Sequence, residues 1–204
     1  MQRRRAVTAI GLALFVTLLV SLVAGGHTED LDAILRSQLL SLDPAGAFAF
    51  WRAVSFLGSG LVIAGLTIFC VSVLAIRGRR EAARRLAFVM LSAVIVENIL
   101  KWLVHRVRPV EVFPGTMPAS SSFPSGHALF ACSLYVTLAM IINRGQTNPF
   151  TRAMVWSFTA IIVLLIGASR IFLGVHFPAD VVGGFAAALF CICVIDPAPD
   201  PKVP

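Results

Sequence analysis

The chain has 204 residues, of which 58% are hydrophobic and only 13% are charged, and its formal net charge is +7. Charged residues make up about a quarter of an ordinary soluble domain, so this composition excludes that class, and it also excludes a disordered or collagen-like chain. The 17 basic residues form short clusters between apolar runs, without the interleaved aromatic residues of a nucleic-acid-binding surface, so we expect no nucleic acid partner. The sequence indicates an integral membrane protein.

A membrane-spanning helix needs about 20 mostly apolar residues, and six segments of the chain meet this requirement. They cover residues 6–24, 53–76, 86–104, 123–142, 153–169 and 178–195. The segments lack the alternation of a membrane β-barrel, so each must be a helix that satisfies its own backbone hydrogen bonds. We therefore predict an all-α polytopic membrane protein with six transmembrane helices in one bundle.

The first apolar segment has two interpretations. Three arginines precede it, Arg3 to Arg5, as they would in a signal peptide. The apolar run is long, however, and no clear small-residue cleavage site follows it. We expect a retained helix, and cleavage would leave the orientation of the later helices unchanged.

A short amphipathic helix is predicted between the first two spans, over residues 29–42. Apolar side chains recur there at helical spacing, namely Leu31, Ile34, Leu35, Leu39 and Leu42. This pattern is typical of a helix that lies on a membrane surface. Its role is open between packing across the helix ends and acting as a lid or lipid guide. We expect one domain over 1–204, with a short disordered tail over 196–204.

The distribution of Lys and Arg predicts the orientation. If the N-terminus is cytoplasmic, eleven basic residues lie on the cytoplasmic side and six lie outside, as the positive-inside rule favours. The third and fifth spans then end outside, and the fourth and sixth begin there. Those four ends carry nearly all the unusual polar residues, which at membrane depth indicate a functional site: Lys101, Arg108, Ser125, Gly126, His127, Ser169, Arg170, His176 and Asp180.

Two cations near the end of the third span are expected to share a pocket. Lys101 and Arg108 are seven residues apart, which is two turns along one helix face, and Pro109 would end the helix just after them. Glu97 lies one turn before Lys101 and could hold it in an ion pair. Alone, Lys101 also fits a side chain whose charged head reaches up to the membrane interface, and Arg108 fits an ordinary interfacial positive charge.

The fourth span begins at Ser125, Gly126 and His127, where free backbone N–H groups and a glycine that permits close approach favour an anion. In isolation these residues also fit a simple helix cap.

His176 and Asp180 lie at the start of the sixth span. Pro178 suits the first helical turn, so Asp180 can reach back toward His176, leaving the other imidazole nitrogen free to attack. Alone, Asp180 also fits a helix cap. Lys101, Arg108 and Arg170 against Asp180 give a charge of +2, which complements a phosphate dianion and opposes a divalent metal. We expect no metal site.

Three motifs occur in order: K-x6-R-P at 101–109, P-S-G-H at 124–127 and S-R-x5-H-x3-D at 169–180. Together they resemble the type 2 phosphatidic acid phosphatase (PAP2) family, with these core motifs spanning 101–180. The resemblance implies a metal-independent phosphatase without a cofactor, in which His176 is the nucleophile, Asp180 orients it and His127 is the general acid. It also implies that the phosphoryl group is held by Lys101, Arg108, Ser125, Gly126 and Arg170. Ser169 and Glu97 are expected to support the pocket.

The resemblance suggests a phosphorylated lipid as substrate: phosphatidic acid, phosphatidylglycerophosphate, undecaprenyl diphosphate or lipid A. It implies a location in a bacterial inner membrane, with the site facing the periplasm or the outside and both termini cytoplasmic. Vanadium haloperoxidases share these motifs but are soluble. A transporter or channel that binds an anion is the other alternative, and it predicts mid-depth polar groups and broken helices. The first, second and fifth spans instead read as uninterrupted.

Overall fold

The computed structural model describes residues 2–42, 47–109 and 120–195, and these ranges contain eight α-helices and no strand. The helices are α1 (Gln2–Ala24), α2 (Glu29–Ser41), α3 (Phe48–Phe56), α4 (Gly60–Ile76), α5 (Arg80–Val104), α6 (Gly126–Asn143), α7 (Pro149–Phe172) and α8 (Pro178–Ile195). Six spans among them are long and apolar enough to cross a membrane, with α3 and α4 together forming the second. The predicted all-α membrane architecture is confirmed, whereas the predicted tail over 196–204 lies outside the described residues.

The second span differs from its prediction, because a break separates α3 from α4. At Gly58, an added Cβ would lie 2.5 Å from Cγ2 of Ile166 and 3.3 Å from Cδ2 of His127. Ser59 then caps α4, its hydroxyl accepting a hydrogen bond from the Val62 N–H. The expectation of an uninterrupted helix was wrong because hydropathy measures apolar character and does not detect a break within an apolar run.

Close packing between α6 and α8 fixes the end of the bundle that carries the site. An added Cβ at Gly184 would lie 2.7 Å from the Ser125 carbonyl oxygen, so the two backbones nearly touch. Small residues allow this approach, and in a bilayer such van der Waals packing is a main source of helix association. The Ser125 N–H also donates to the Asp180 carbonyl oxygen at 2.9 Å. The start of α6 is thereby positioned against the start of α8.

The amphipathic helix is present as α2. Its apolar side chains, such as Leu31, Ile34 and Leu35, are exposed, whereas Asp32 on its inner face is only 2% exposed. Arg36 donates to the Gly174 carbonyl oxygen at 3.4 Å, which ties α2 to the loop after α7. The helix therefore lies across the bundle with its polar face turned toward the protein.

Candidate active site

The ends of α5 and α7 and the starts of α6 and α8 meet, as the alternating topology predicts. At their centre, Nδ1 of His176 lies 3.3 Å from Oδ2 of Asp180. Nε2 of His176 lies 3.0 Å from Nη1 of Arg108. A guanidinium can only donate, so Nε2 must present its lone pair and Nδ1 must carry the proton. The imidazole is thus held in the tautomer that leaves Nε2 nucleophilic.

Asp180 is fully buried and surrounded by donors. Its Oδ2 accepts from the Ser122 hydroxyl at 2.5 Å and from the Phe177 N–H at 2.9 Å, besides facing His176. Its Oδ1 accepts from Nη1 of Arg106 at 2.7 Å. Each carboxylate oxygen therefore has a distinct set of partners.

Arg106, Ser122 and Asp32 belong to the site, and the sequence analysis did not assign them. Nη2 of Arg106 donates to Oδ2 of Asp32 at 2.6 Å, and its guanidinium lies 4.3 Å from the centre of the Phe177 ring. Two features of the sequence could have pointed to them: Arg106 is a third cation between Lys101 and Arg108, and Asp32 is an acidic residue on an amphipathic helix.

Arg108 reaches the site by a route that differs from the prediction. Helix α5 ends at Val104, and His105 adopts a left-handed conformation with a φ of 47°. Arg108 therefore lies beyond the helix rather than two turns along its face from Lys101. Its guanidinium donates to the carbonyl oxygens of Ser120 at 2.9 Å and Val175 at 2.8 Å. These contacts, and not a helix, aim Arg108 at His176.

Lys101 and Glu97 form the ion pair expected from their spacing. Nζ of Lys101 lies 2.8 Å from Oε1 of Glu97 and 3.3 Å from the Ser120 hydroxyl. A Cβ added at Gly126 would collide with the Glu97 carboxylate. The glycine at the start of α6 thus makes room for the acidic partner of Lys101.

His127 and Arg170 line a common cavity of about 820 Å³ next to α3. Arg170 is buried, and its Nη1 donates to the Ser55 hydroxyl. Within the described ranges, Nε of Arg170 and the hydroxyl of Ser125 are buried without a hydrogen-bond partner. Buried polar atoms are nearly always paired, so both are suited to a phosphate oxygen. The Ser169 hydroxyl donates to the Ile166 carbonyl oxygen at 2.6 Å, within its own helix.

The electrostatic balance of the site differs from the expected +2. The structure adds Arg106, Glu97 and Asp32 to the charged set, so four cations face three carboxylates and the sum is +1 with the histidines neutral. Burial of His176, reinforced by Arg108 and Arg170, lowers its pKa from 6.5 to about 4. Burial opposes the charge of Arg106, yet Asp180 and Asp32 raise the pKa of its guanidinium. The imidazole is therefore held neutral beside permanent cations.

A metal site is not formed by the part of the chain that the structure describes, where no three His, Cys, Asp or Glu side chains group together. The donors gathered around His176 are mainly arginines and N–H groups, which bind anions rather than cations. The arrangement suits an incoming phosphoryl group.

The curated proteins to which the chain is similar include several phosphatases. The chain is similar to phosphatidylglycerophosphatase B of Bacillus subtilis (strain 168), with 36% identity over 50% of each chain. It is similar to undecaprenyl-diphosphatase of Sulfolobus acidocaldarius, with 31% identity over 46% of this chain and 43% of that one. It is also similar to lipid A 1-phosphatase of Rhizobium etli, with 26% identity over 76% of each. The matched region spans about half the length of the first two relatives.

Two solved structures share the fold. A transmembrane PAP2-type phosphatidylglycerolphosphate phosphatase from Bacillus subtilis superposes with a TM-score of 0.81 at 24% identity, covering 92% of this chain and 94% of that chain. LpxE of Aquifex aeolicus superposes with a TM-score of 0.62 at 24% identity, covering 81% and 94%. A family model for the PAP2 superfamily matches residues 82–199, which is more than half of the sequence. The chain therefore belongs to the PAP2 superfamily.

Proposed function

We propose that this protein is a membrane-embedded, metal-independent phosphatase that removes a phosphate group from a lipid. The observation that carries the proposal is the array Asp180, His176 and Arg108, in which Nδ1 is held by a carboxylate and Nε2 faces a guanidinium. A neutral imidazole beside fixed cations can attack a phosphorus atom that those cations hold in place.

The mechanism has two steps. Nε2 of His176 attacks the phosphorus, and the bond from phosphorus to the lipid oxygen breaks. His127, protonated in the complex with the phosphate dianion, donates its proton to that leaving oxygen and becomes neutral. Asp180 stabilises the positive imidazole ring through the Nδ1 proton. Neutral His127 then takes a proton from water, which attacks phosphorus, breaks the P–N bond and releases inorganic phosphate. The phosphoryl oxygens are held by Lys101, Arg108, Ser125, Gly126 and Arg170.

A lipid substrate is supported by the surroundings of the site. An apolar groove of about 490 Å³ lies between α4 and α5, lined by side chains such as Ile63 and Met90 and bounded by Phe130. Phe130 is one helical turn after His127, so the groove runs from the level of the catalytic residues. An acyl or isoprenoid chain would fit there while its phosphate enters the polar cluster. The named relatives support phosphatidylglycerophosphate, undecaprenyl diphosphate or lipid A as substrates.

The test is release of inorganic phosphate in EDTA from these lipids and from phosphatidic acid, by purified protein in detergent. We expect release from at least one lipid, none from His176→Asn, and a strong loss in His127→Asn. The matched control is His105→Asn, since His105 is exposed at the end of α5. Normal turnover by His176→Asn would end the phosphohistidine mechanism. No release by folded wild-type protein would favour the alternative of an anion-binding transporter.

We further propose that the site faces the periplasm or outside, and that both termini are cytoplasmic. The proposal is supported by the eleven basic residues on the opposite side. In a cysteine-free background, His105→Cys should react with an impermeant reagent added to intact cells, whereas Thr147→Cys, in the exposed loop after α6, should react only after lysis. The reverse pattern would place the site in the cytoplasm.

A further inference from the structure

We propose that Asp32 and Arg106 are positioning residues that hold Asp180 in its working orientation, so that the interfacial helix α2 is a functional part of the active site. This inference rests on the proposed function, because it assigns a role within the same reaction.

Hydrogen bonds through Asp32, Arg106 and Asp180 form a closed circuit, that is, a ring of contacts that joins α2 to α8. Arg106 uses one terminal nitrogen for each carboxylate, Nη1 for Oδ1 of Asp180 at 2.7 Å and Nη2 for Oδ2 of Asp32 at 2.6 Å. The other oxygen of Asp32, Oδ1, accepts from the Ala179 N–H at 2.8 Å. Asp32 therefore holds both the guanidinium that binds Asp180 and the peptide unit next to it.

Burial makes this circuit rigid. The side chains of Arg106, Asp32 and Asp180 are 8%, 3% and 0% exposed. Nη2 of Arg106 also lies 3.3 Å from the Thr28 hydroxyl, at the start of α2. Breaking such a buried pair by removing one partner leaves an uncompensated charge, so the three groups remain together.

The geometry assigns separate tasks to the two oxygens of Asp180. Oδ1 is occupied by Arg106, and Oδ2 is left to Nδ1 of His176, the Ser122 hydroxyl and the Phe177 N–H. Without Arg106, Oδ1 loses its charged donor, and only the contacts at Oδ2 still orient the carboxylate toward the imidazole. Because Arg106 is held from the α2 side by Asp32, a change at Asp32 reaches His176 through two intervening groups.

The decisive variant is Asp32→Asn, which keeps the size of the side chain and an oxygen for the Ala179 N–H but removes the charge that fixes Arg106. We expect kcat to fall about tenfold to hundredfold, by analogy with the loss seen when the outer partner of a metal-binding histidine is removed. KM should change little, because Asp32 does not touch the phosphate-binding residues. The matched control is Asp30→Asn, an exposed carboxylate in the first turn of the same helix, and its kcat should equal that of the wild type.

The pH profile separates positioning from general damage. Arg106→Gln removes a cation that compensates Asp180, so the imidazolium form of His176 is favoured, its pKa rises and the acid limb of kcat moves to higher pH. Asp32→Asn leaves Arg106 fully positive, so the acid limb should stay in place or move lower. Ionisation of the substrate is the same for all variants, so it does not affect the difference in the position of the acid limb between two variants. Among the residues that the structure describes, the charged or titratable groups in the cluster with His176 are Asp180, Arg106, Arg108, Arg170, His127, Lys101, Glu97 and Asp32.

If Arg106→Gln does not fold, Arg106→Lys takes its place. It keeps the charge but replaces the planar fork of two terminal nitrogens by a single nitrogen on a flexible stem, so kcat should fall while the acid limb stays in place. Wild-type kcat in Asp32→Asn, or acid limbs that move together in Asp32→Asn and Arg106→Gln, would overturn the inference. A failure of the proposed function is distinguishable, because the wild-type protein would then release no phosphate at all.

Discussion

Lowering the pH from 7 to 5 should leave His176 neutral, and this outcome tests the electrostatics of the site directly. The side chain is only 2% exposed, and burial, with the nearby charges of Arg108 and Arg170, lowers its pKa from 6.5 to about 4. That shift corresponds to about 3 kcal/mol against the charged form. At pH 5 about nine-tenths of the imidazole then stays neutral, compared with about one-thirtieth at the ordinary pKa.

The assay is NMR of protein labelled with ¹⁵N-histidine in detergent micelles. The chain has four histidines, and the His176→Asn variant assigns the relevant signal by its loss. NMR is preferred to the rate of hydrolysis because a phosphate monoester itself ionises near pH 6. We expect the tautomer with a protonated Nδ1 at pH 7 and a titration midpoint near pH 4.

His105 provides the internal control, since its ring is exposed at the end of α5. A midpoint for His176 near 6.5, or a proton on Nε2 at neutral pH, would refute the reasoning. A proton on Nε2 would mean that Arg108 does not donate to that nitrogen, and a midpoint near 6.5 would mean that the surroundings do not hold the imidazole neutral.

Three further predictions concern stability and anion binding. Gly184→Ala should lower the free energy of unfolding by about 1–3 kcal/mol, and with it the thermal midpoint, because the new Cβ would lie 2.7 Å from a backbone oxygen. Gly65→Ala is the control and should not lower the thermal midpoint, because a Cβ there meets nothing within 4 Å. Ser55→Ala should weaken inhibition by orthovanadate about tenfold, because Arg170 loses a buried hydrogen-bond acceptor. Ser37→Ala, on the exposed side of α2, should leave the inhibition constant unchanged. Equal inhibition constants for the two variants would contradict the role of Ser55. As the pH falls from 6.5 to 4, His176 becomes protonated in the unfolded state but stays neutral in the native state. The free energy of unfolding should therefore decrease over this range by up to about 3 kcal/mol. An equal decrease of the thermal midpoint in His176→Asn would contradict the assignment.

The six spans could be predicted because the bilayer sets a length and an apolar character that the sequence must meet. The position of the polar cluster could be predicted because successive spans run in opposite directions across the membrane. This alternation brings His176 and Asp180 to the same end of the bundle as the other polar residues. Local spacing also sufficed for the ion pair between Glu97 and Lys101, which lies within one helix.

Contacts between distant segments could not be predicted in this way. Arg106 and Asp32 are separated by the whole second and third spans, so their pairing depends on where α2 lies across the bundle. The path of Arg108 was mistaken because the helix ends five residues before Pro109, in a left-handed residue, His105, that is not a glycine. The break at Gly58 depends on side chains from α6 and α7, which no local pattern contains.

The buried pair between Arg106 and Asp180 has a consequence for the order of assembly in the membrane. Asp180 is on α8, which follows the seven other described helices in the chain, so Arg106 is synthesised 74 residues before its partner. Until α8 docks, His176 lacks its carboxylate partner, and Arg106 lacks one of its two. The proposed nucleophile therefore gains the group that orients it only when the last of these helices has packed against the others.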